Sequence, residues 1–284
     1  MMSLLRWLGR RPLWLLHAIG AWMGRLAWWI SPTYRRRMRL NAARAGVDEA
    51  TLRASVPEAG RMIAELPRLW LRPVPQPVAD PVRWVGDEFL AGLLGQAHGL
   101  VLLTPHLGSF EVAAQAYAER FGAQWPMTAL YRPARQAFFR RLEETARARP
   151  GLATAPANLA GVRQLLRTLK AGHTVGMLPD QVPPAGMGVW APFFGHRAYT
   201  MTLAAKLARQ SGAAMAVLWC ERLPQGAGYV VHAQPLFDPP CPDADEVAAA
   251  TAINHSMEAV IRQCPTQYLW GYFRYKGPRA EGPA

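Results

Sequence analysis

GLVLLTPHLGSFEV, residues 99–112, decides how this chain is read. The unbroken apolar run at its start has the character of a strand buried on both faces. Pro105 ends that strand, Gly108 permits a tight backbone path, and Ser109 is a candidate cap for a helix over 109–121. The stretch is therefore strand, turn and helix. It places His106 in the turn and Glu111 in the first helical turn. On one continuous helix the two would lie about 140° apart and share no face. They meet only because a turn intervenes. A carboxylate on one ring nitrogen fixes the tautomer and leaves the other nitrogen free to act as a general base. The helix start favours the Glu111 anion, and its unpaired N–H groups suit a developing oxyanion. The plainer alternative is a turn-capping histidine beside an exposed glutamate.

Outward from this unit the pattern repeats. Strands are expected at 82–85, 99–104, 125–131, 174–179, 213–220 and 228–234. Helices are expected at 87–96, 109–121, 135–148, 158–171, 200–211 and 243–263. The alternation predicts an α/β domain with a mixed central sheet flanked by helices. The proline-rich PVPQPVADP, residues 73–81, separates this domain (73–284) from an N-terminal segment (1–72). Residues 40–72 read as helix with a break at Pro57.

Charge singles out the same N-terminal segment. The 284 residues carry a net charge of +13. Residues 1–72 hold thirteen arginines against four acids, so they supply most of that excess. Such a segment suits an anionic partner: a membrane surface, a nucleic acid or an acidic protein. Within it, LWLLHAIGAWMGRLAWWI, residues 13–30, is apolar but interrupted by His17 and Arg25. A spanning helix needs about 20 apolar residues. The run falls short, and its four tryptophans (Trp14, Trp22, Trp28, Trp29) suit interfacial depth. The expectation is a shallow membrane anchor, with a true span or a buried core helix as alternatives. No cleavage site follows the run, so it is not read as a signal peptide. Three cysteines without metal spacing argue against a disulfide framework.

No serine elbow, catalytic cysteine pattern, phosphate loop or zinc motif accompanies His106. The base would then activate a hydroxyl of the substrate, as direct acyl transfer requires. Other candidates surround it. Arg132 follows a strand in ALYRPAR (129–135), and Arg147 and Arg149 precede a Pro-Gly turn in ETARARPG (144–151). Arginines at such ends clamp phosphates or hold an oxyanion. In VGMLPDQVPPAGMGVWAPFFGHRAYT (175–200), Asp180 and Gln181 sit at a strand's carboxyl end, the usual place for site residues in α/β sheets. Phe193 and Phe194 would wall an acyl pocket or plug the core. Arg274 and Lys276 lie in YLWGYFRYKGPR (268–279), either a phosphate surface or a terminal strand with solvated charges.

Taken in order, the H-x4-E after an apolar strand, YRP, the Asp-Gln pair, PFFG with a following A-x-T, and the final W-x3-R-x-K resemble the late acyltransferases of lipid A biosynthesis. These belong to the lysophospholipid acyltransferase superfamily with an H-x4-D/E motif and a glycerolipid acyltransferase-like fold, and the resemblance covers nearly the whole chain. It implies an enzyme at the cytoplasmic face of the inner membrane that moves a fatty acyl chain from acyl carrier protein to a hydroxyl of a lipid A precursor. On this resemblance His106 is the base and Glu111 its partner. Arg149, with Arg147 and Arg132 next, matches the oxyanion or phosphate arginines, and Asp180 falls on the family's aspartate. Gln181, Phe193, Phe194, Arg274 and Lys276 are expected to meet substrate. No cofactor or metal is implied. Acceptors such as an ornithine lipid or a glycolipid stay open. So do a hydrolase that uses the same base on water and a non-catalytic membrane-binding protein. A nucleic-acid partner is not expected, since no motif for one is present.

Overall fold

A computed structural model describes residues 2–73, 76–79, 82–96, 98–131 and 149–278, the side chain of Leu4 aside. Five helices open the chain: α1 (Met2–Gly9), α2 (Leu13–Ile30), α3 (Pro32–Arg44), α4 (Glu49–Ala64) and α5 (Leu66–Trp70). Then follow β1 (Val82–Val85), α6 (Asp87–Gln96), β2 (Leu100–Leu103), α7 (Phe110–Phe121), β3 (Met127–Tyr131), β4 (Leu152–Pro156), α8 (Leu159–Lys170) and β5 (Thr174–Met177). A hairpin, β6 (Gly188–Phe193) and β7 (His196–Met201), precedes α9 (Leu203–Ser211), β8 (Ala214–Arg222), β9 (Tyr229–Pro235) and α10 (Glu246–Gln263).

The sheet runs β1-β9-β8-β2-β5-β3-β4. Neighbours are parallel except β8 and β9, so the expected mixed sheet is present. β2 is buried along its whole length, as its apolar run demands. Val101 and Leu103 enter one apolar layer with Met38, Leu165 and Ile253. Leu100 and Leu102 enter the opposite layer with Leu90, Val112 and Tyr117. Helices therefore cover both faces, and the site must lie at an end of the strands.

Several local expectations are corrected. Pro57 lies inside α4, and the chain breaks instead at residues 45–48, where Gly46 takes a φ of +72°. β4 and the β6–β7 hairpin were not anticipated, because short strands with Gly and Pro carry no clear alternation. Thr200 lies in β7, and the next helix starts at Leu203. The expected helix at 135–148 lies outside the described residues.

The N-terminal helices pack tightly. Gly20 and Gly24 of α2 face Gly60 of α4, and a β-carbon on Gly60 would fall 1.9 Å from the Gly20 carbonyl oxygen. Only glycine allows that approach. Asn41 of α3 ties this layer to the chain's end, donating to the carbonyls of Trp270 (2.7 Å) and Tyr272 (2.6 Å). The opposite face of α2 leaves Trp14, Trp22, Trp29 and Ile30 exposed. No helix among the described residues is long and apolar enough to cross a membrane.

Candidate active site

β2 and β5 are parallel neighbours with Leu103 beside Met177. Three residues further along each chain come His106 and Asp180. Equal steps from one register thus bring together two residues 74 positions apart. The Asp180 carboxylate holds His106 twice: Oδ1 is 2.7 Å from Nδ1, and Oδ2 accepts from the backbone N–H at 2.9 Å. On the other side of the ring, Nε2 lies 3.0 Å from the Gln181 amide nitrogen. Phe110 packs edge-on against the imidazole. The carboxylate on the ring is therefore Asp180, whereas Glu111 was expected there. Glu111 stands in the first turn of α7, buried in the wall of the adjoining cavity.

Asp180 is fully buried. Burial alone would raise its carboxyl, but His106, its hydrogen bonds and the nearby Arg274 hold it below the usual range. The buried Tyr268 phenol lies near Asp180, and burial, together with that carboxylate, pushes it well up. The turn carrying His106 is fixed from outside. Gly108 takes a φ of +60°, and a β-carbon there would lie 1.9 Å from the Cys220 carbonyl oxygen. Its N–H donates to the Gln267 carbonyl, and the Ser109 N–H donates to that of Cys220. Ser109 does stand at the cap position of α7, but its hydroxyl makes no capping bond.

A residue with no local sequence signal reinforces this turn. Arg222, on β8, donates to the Gly108 carbonyl at 3.1 Å. The rest of its guanidinium bonds Glu65 twice, at 2.9 and 2.8 Å, and Glu58 at 3.0 Å. Glu65 also meets His17 of α2 at 3.2 Å and the Tyr229 hydroxyl at 3.0 Å. Burial would raise Glu65, but Arg222 pulls it down to about 2. Residues from α2, α4 and the start of α5 thereby reach the loop that carries His106.

The cavity beside His106 holds about 400 Å³, within the range of ligand pockets. Ala114 and Gln115 of α7, Ala129 and Leu130 of β3, and Leu152 of β4 form one side. The loop after β5 forms the other, with Val182, Pro183, Pro184 and Met187. The lining is mostly apolar, and its titratable side chains among the described residues are His106, Glu111 and Tyr131. Among the described residues, the lining includes no serine and no cysteine. Cys220 and Cys264 are buried elsewhere, with thiols pushed up by burial. Among the described residues no cluster of side chains fits a metal ion.

Other candidates lie apart from His106. Phe193 and Phe194 are core residues, packed with Trp270 and Tyr275, and the pocket wall is built by the Pro183–Met187 loop instead. Arg149 is buried before β4, at the opposite end of the strands from His106, and donates to the Arg72 carbonyl at 2.9 Å. Burial lowers its pKa while Glu119 raises it. Arg274 is only 2% exposed and bonds the Tyr199 carbonyl and Thr200 hydroxyl, so the expected solvated position is corrected. Residues 269–278 form turns rather than a strand. Lys276 lies over the Tyr272 ring. Arg132 and Arg147 lie outside the described residues.

Comparison with known proteins shows the family. The model for the bacterial lipid A biosynthesis acyltransferase family matches residues 4–277. The lipid A biosynthesis lauroyltransferase of Escherichia coli (strain K12) is 27% identical, over 98% of this chain and 93% of that protein. The palmitoleoyltransferase of the same organism is 30% identical, over 64% of this chain and 57% of that protein. A lipid A biosynthesis acyltransferase of Haemophilus influenzae is 23% identical, over 66% of this chain and 57% of that protein. This chain belongs to the bacterial lipid A biosynthesis acyltransferase family.

Proposed function

We propose that this acyltransferase moves a fatty acyl chain from acyl carrier protein to a hydroxyl of a lipid A precursor, with His106 as general base. The observation that carries this reading is a histidine with one ring nitrogen on a buried carboxylate and the other facing an apolar cavity, whose lining among the described residues offers no serine or cysteine nucleophile. Asp180 accepts from Nδ1–H, so Nε2 bears the lone pair. Nε2 takes the proton of the acceptor hydroxyl, the oxygen attacks the thioester carbonyl, and the tetrahedral intermediate expels the carrier's thiolate. The imidazolium returns the proton to that sulfur. Asp180 stabilises the charged ring between these steps. The acyl chain occupies the apolar cavity.

The reaction is set at the cytoplasmic face of the inner membrane. Exposed Trp14, Trp22 and Trp29, with exposed Arg36 and Arg39 on α3, support docking to an anionic bilayer. Mass spectrometry of the lipid A fraction, with and without the protein, tests the reaction. A mass lower by one acyl chain in its absence is expected. An unchanged lipid A with a shifted ornithine lipid or glycolipid would move the acceptor. Flotation with anionic vesicles tests the docking, and Trp22→Ser with Trp29→Ser should weaken it.

A further inference from the structure

The structure leaves the base of this reaction already engaged. Asp180 can only accept a hydrogen bond, so the single proton of the neutral ring sits on Nδ1. Nε2 then has one lone pair, and the Gln181 amide nitrogen lies 3.0 Å from it. An amide nitrogen can only donate. The lone pair that should receive the substrate's proton is therefore held by Gln181. No proton can pass to Nε2 until that amide moves.

The surroundings allow the side chain to move while the backbone stays. Asp180, on one side, is buried and bonded to His106 through both oxygens. Val182, on the other, donates its N–H to the Tyr272 hydroxyl oxygen at 3.0 Å. Tyr272 is itself anchored through its carbonyl to Asn41. Gln181 is half-buried between these pins and lines the open cavity. Rotation about its side-chain bonds is enough to release Nε2.

We propose that Gln181 guards the base: it keeps the His106 lone pair from activating water against the bound thioester, and it yields only to the acceptor lipid's hydroxyl. The inference rests on the general-base reading above. The two competing reactions differ only in the oxygen that attacks. Water would pass a proton to Nε2, form the O–C bond, break the C–S bond and give a free fatty acid plus the carrier thiol. The acceptor hydroxyl follows the same path and gives an ester plus the same thiol. Water brings no binding energy of its own to displace the amide. A lipid bound across the site brings contacts remote from the reacting atoms, and these can drive the displacement. The guard thus converts acceptor binding into exposure of the base.

Gln181→Met tests this, because it keeps the length of the side chain and removes the donor. Dodecanoyl-acyl carrier protein is supplied without lipid, and released thiol is titrated. In a parallel assay the lipid A precursor is present and the ester is measured. The ratio of hydrolysis to transfer should rise about tenfold over wild type, the worth of one hydrogen bond. Adding His106→Ala to Gln181→Met should then abolish the hydrolysis. An unchanged or lower ratio overturns the proposal, and so does a folded variant that loses both reactions. If Gln181→Met does not fold, the ratio is read from Gln181→Asn, whose amide falls one methylene short of Nε2. A wild-type protein that forms no ester from any thioester would instead defeat the reading of His106 as a transferase base.

Discussion

Two histidines of this protein make the same bond in different company. His17 meets Glu65 at 3.2 Å, and His106 meets Asp180 at 2.7 Å. Both carboxylates are buried, both are held low by a neighbouring positive charge against the pull of burial, and an arginine stands by each. His17 is buried on α2, and its Glu65 partner is closed in by Arg222 and Tyr229. His106 turns its second nitrogen toward a cavity of about 400 Å³. A histidine–carboxylate pair is therefore no signature of catalysis by itself. What separates the two is whether the ring retains a nitrogen that a substrate can reach.

The sharpest way to break this comparison is to truncate each ring. His106→Ala should lower transfer of radiolabelled acyl chains by about 10²–10⁴-fold, the usual worth of a positioned base. Asp180→Asn should fall within the same range, since a neutral amide does not stabilise the imidazolium and its NH2 can donate to Nδ1 and favour the wrong tautomer. Glu111→Gln should cost less than Asp180→Asn, because the ring bond belongs to Asp180. His17→Ala should leave transfer within a few-fold of wild type while lowering thermal stability. Equal losses at His17 and His106 would show that the cavity is not the distinction.

Arg222 sharpens the other half. Arg222→Met would leave the buried Glu65 without its arginine counter-charge, while Glu58 keeps Arg61. Breaking a buried pair this way costs about 3–5 kcal/mol, which for a chain of this size lowers the thermal midpoint by about 10 °C. Scanning calorimetry would read it. An unchanged midpoint would mean that the cluster is not what joins the N-terminal helices to the sheet.

Gly108 gives a smaller and more local effect. Gly212 has a similar φ of +70° but faces open space, whereas a β-carbon on Gly108 would strike the Cys220 carbonyl. Gly212→Ala should therefore cost only the left-handed conformation, about 1–2 kcal/mol. Gly108→Ala should cost more in chemical denaturation and should also reduce transfer, because the displaced turn carries His106. Equal costs at the two sites would show that the turn relaxes without consequence.

The same contrast explains what the sequence revealed. The stretch 99–112 announced β2, its turn and α7, since burial, a breaker and a cap are all local properties. His106 was legible for that reason. Its partner was misassigned because Glu111 is near in sequence, while Asp180 is near only through the β2–β5 register. Asp180 and Gln181 could still be singled out by position, at a strand's carboxyl end. Arg222 and Tyr268 gave no sign, as their value comes from partners 157 and 88 positions away. Phe193 and Phe194 stayed open between a pocket wall and a core plug, because a Gly- and Pro-rich loop reads as surface. The hairpin turns them into the core, where Glu258 accepts from the Phe194 N–H.

The smallest effect is confined to acid. Glu65 falls from 4.5 to about 2 in the folded protein, against the pull of burial, because Arg222 stands against it. A carboxyl depressed by folding adds stability above its unfolded pKa, and that contribution disappears as pH falls through the folded value. Glu65 therefore contributes in full above about pH 5, and its share is lost progressively toward about pH 2. Urea unfolding across that window should show stability falling with pH in wild type. Glu65→Gln, less stable at neutral pH, should show a shallower fall, because the titrating group is gone. Asp180→Asn should also flatten the fall, since Asp180 is depressed as well. The two variants would then differ in one respect only: the Asp180 change silences transfer, and the Glu65 change spares it. Were Glu65→Gln to keep the full wild-type slope, Glu65 would not be the group that couples the N-terminal helices to acid stability, and the closed pair would lose its part in the comparison.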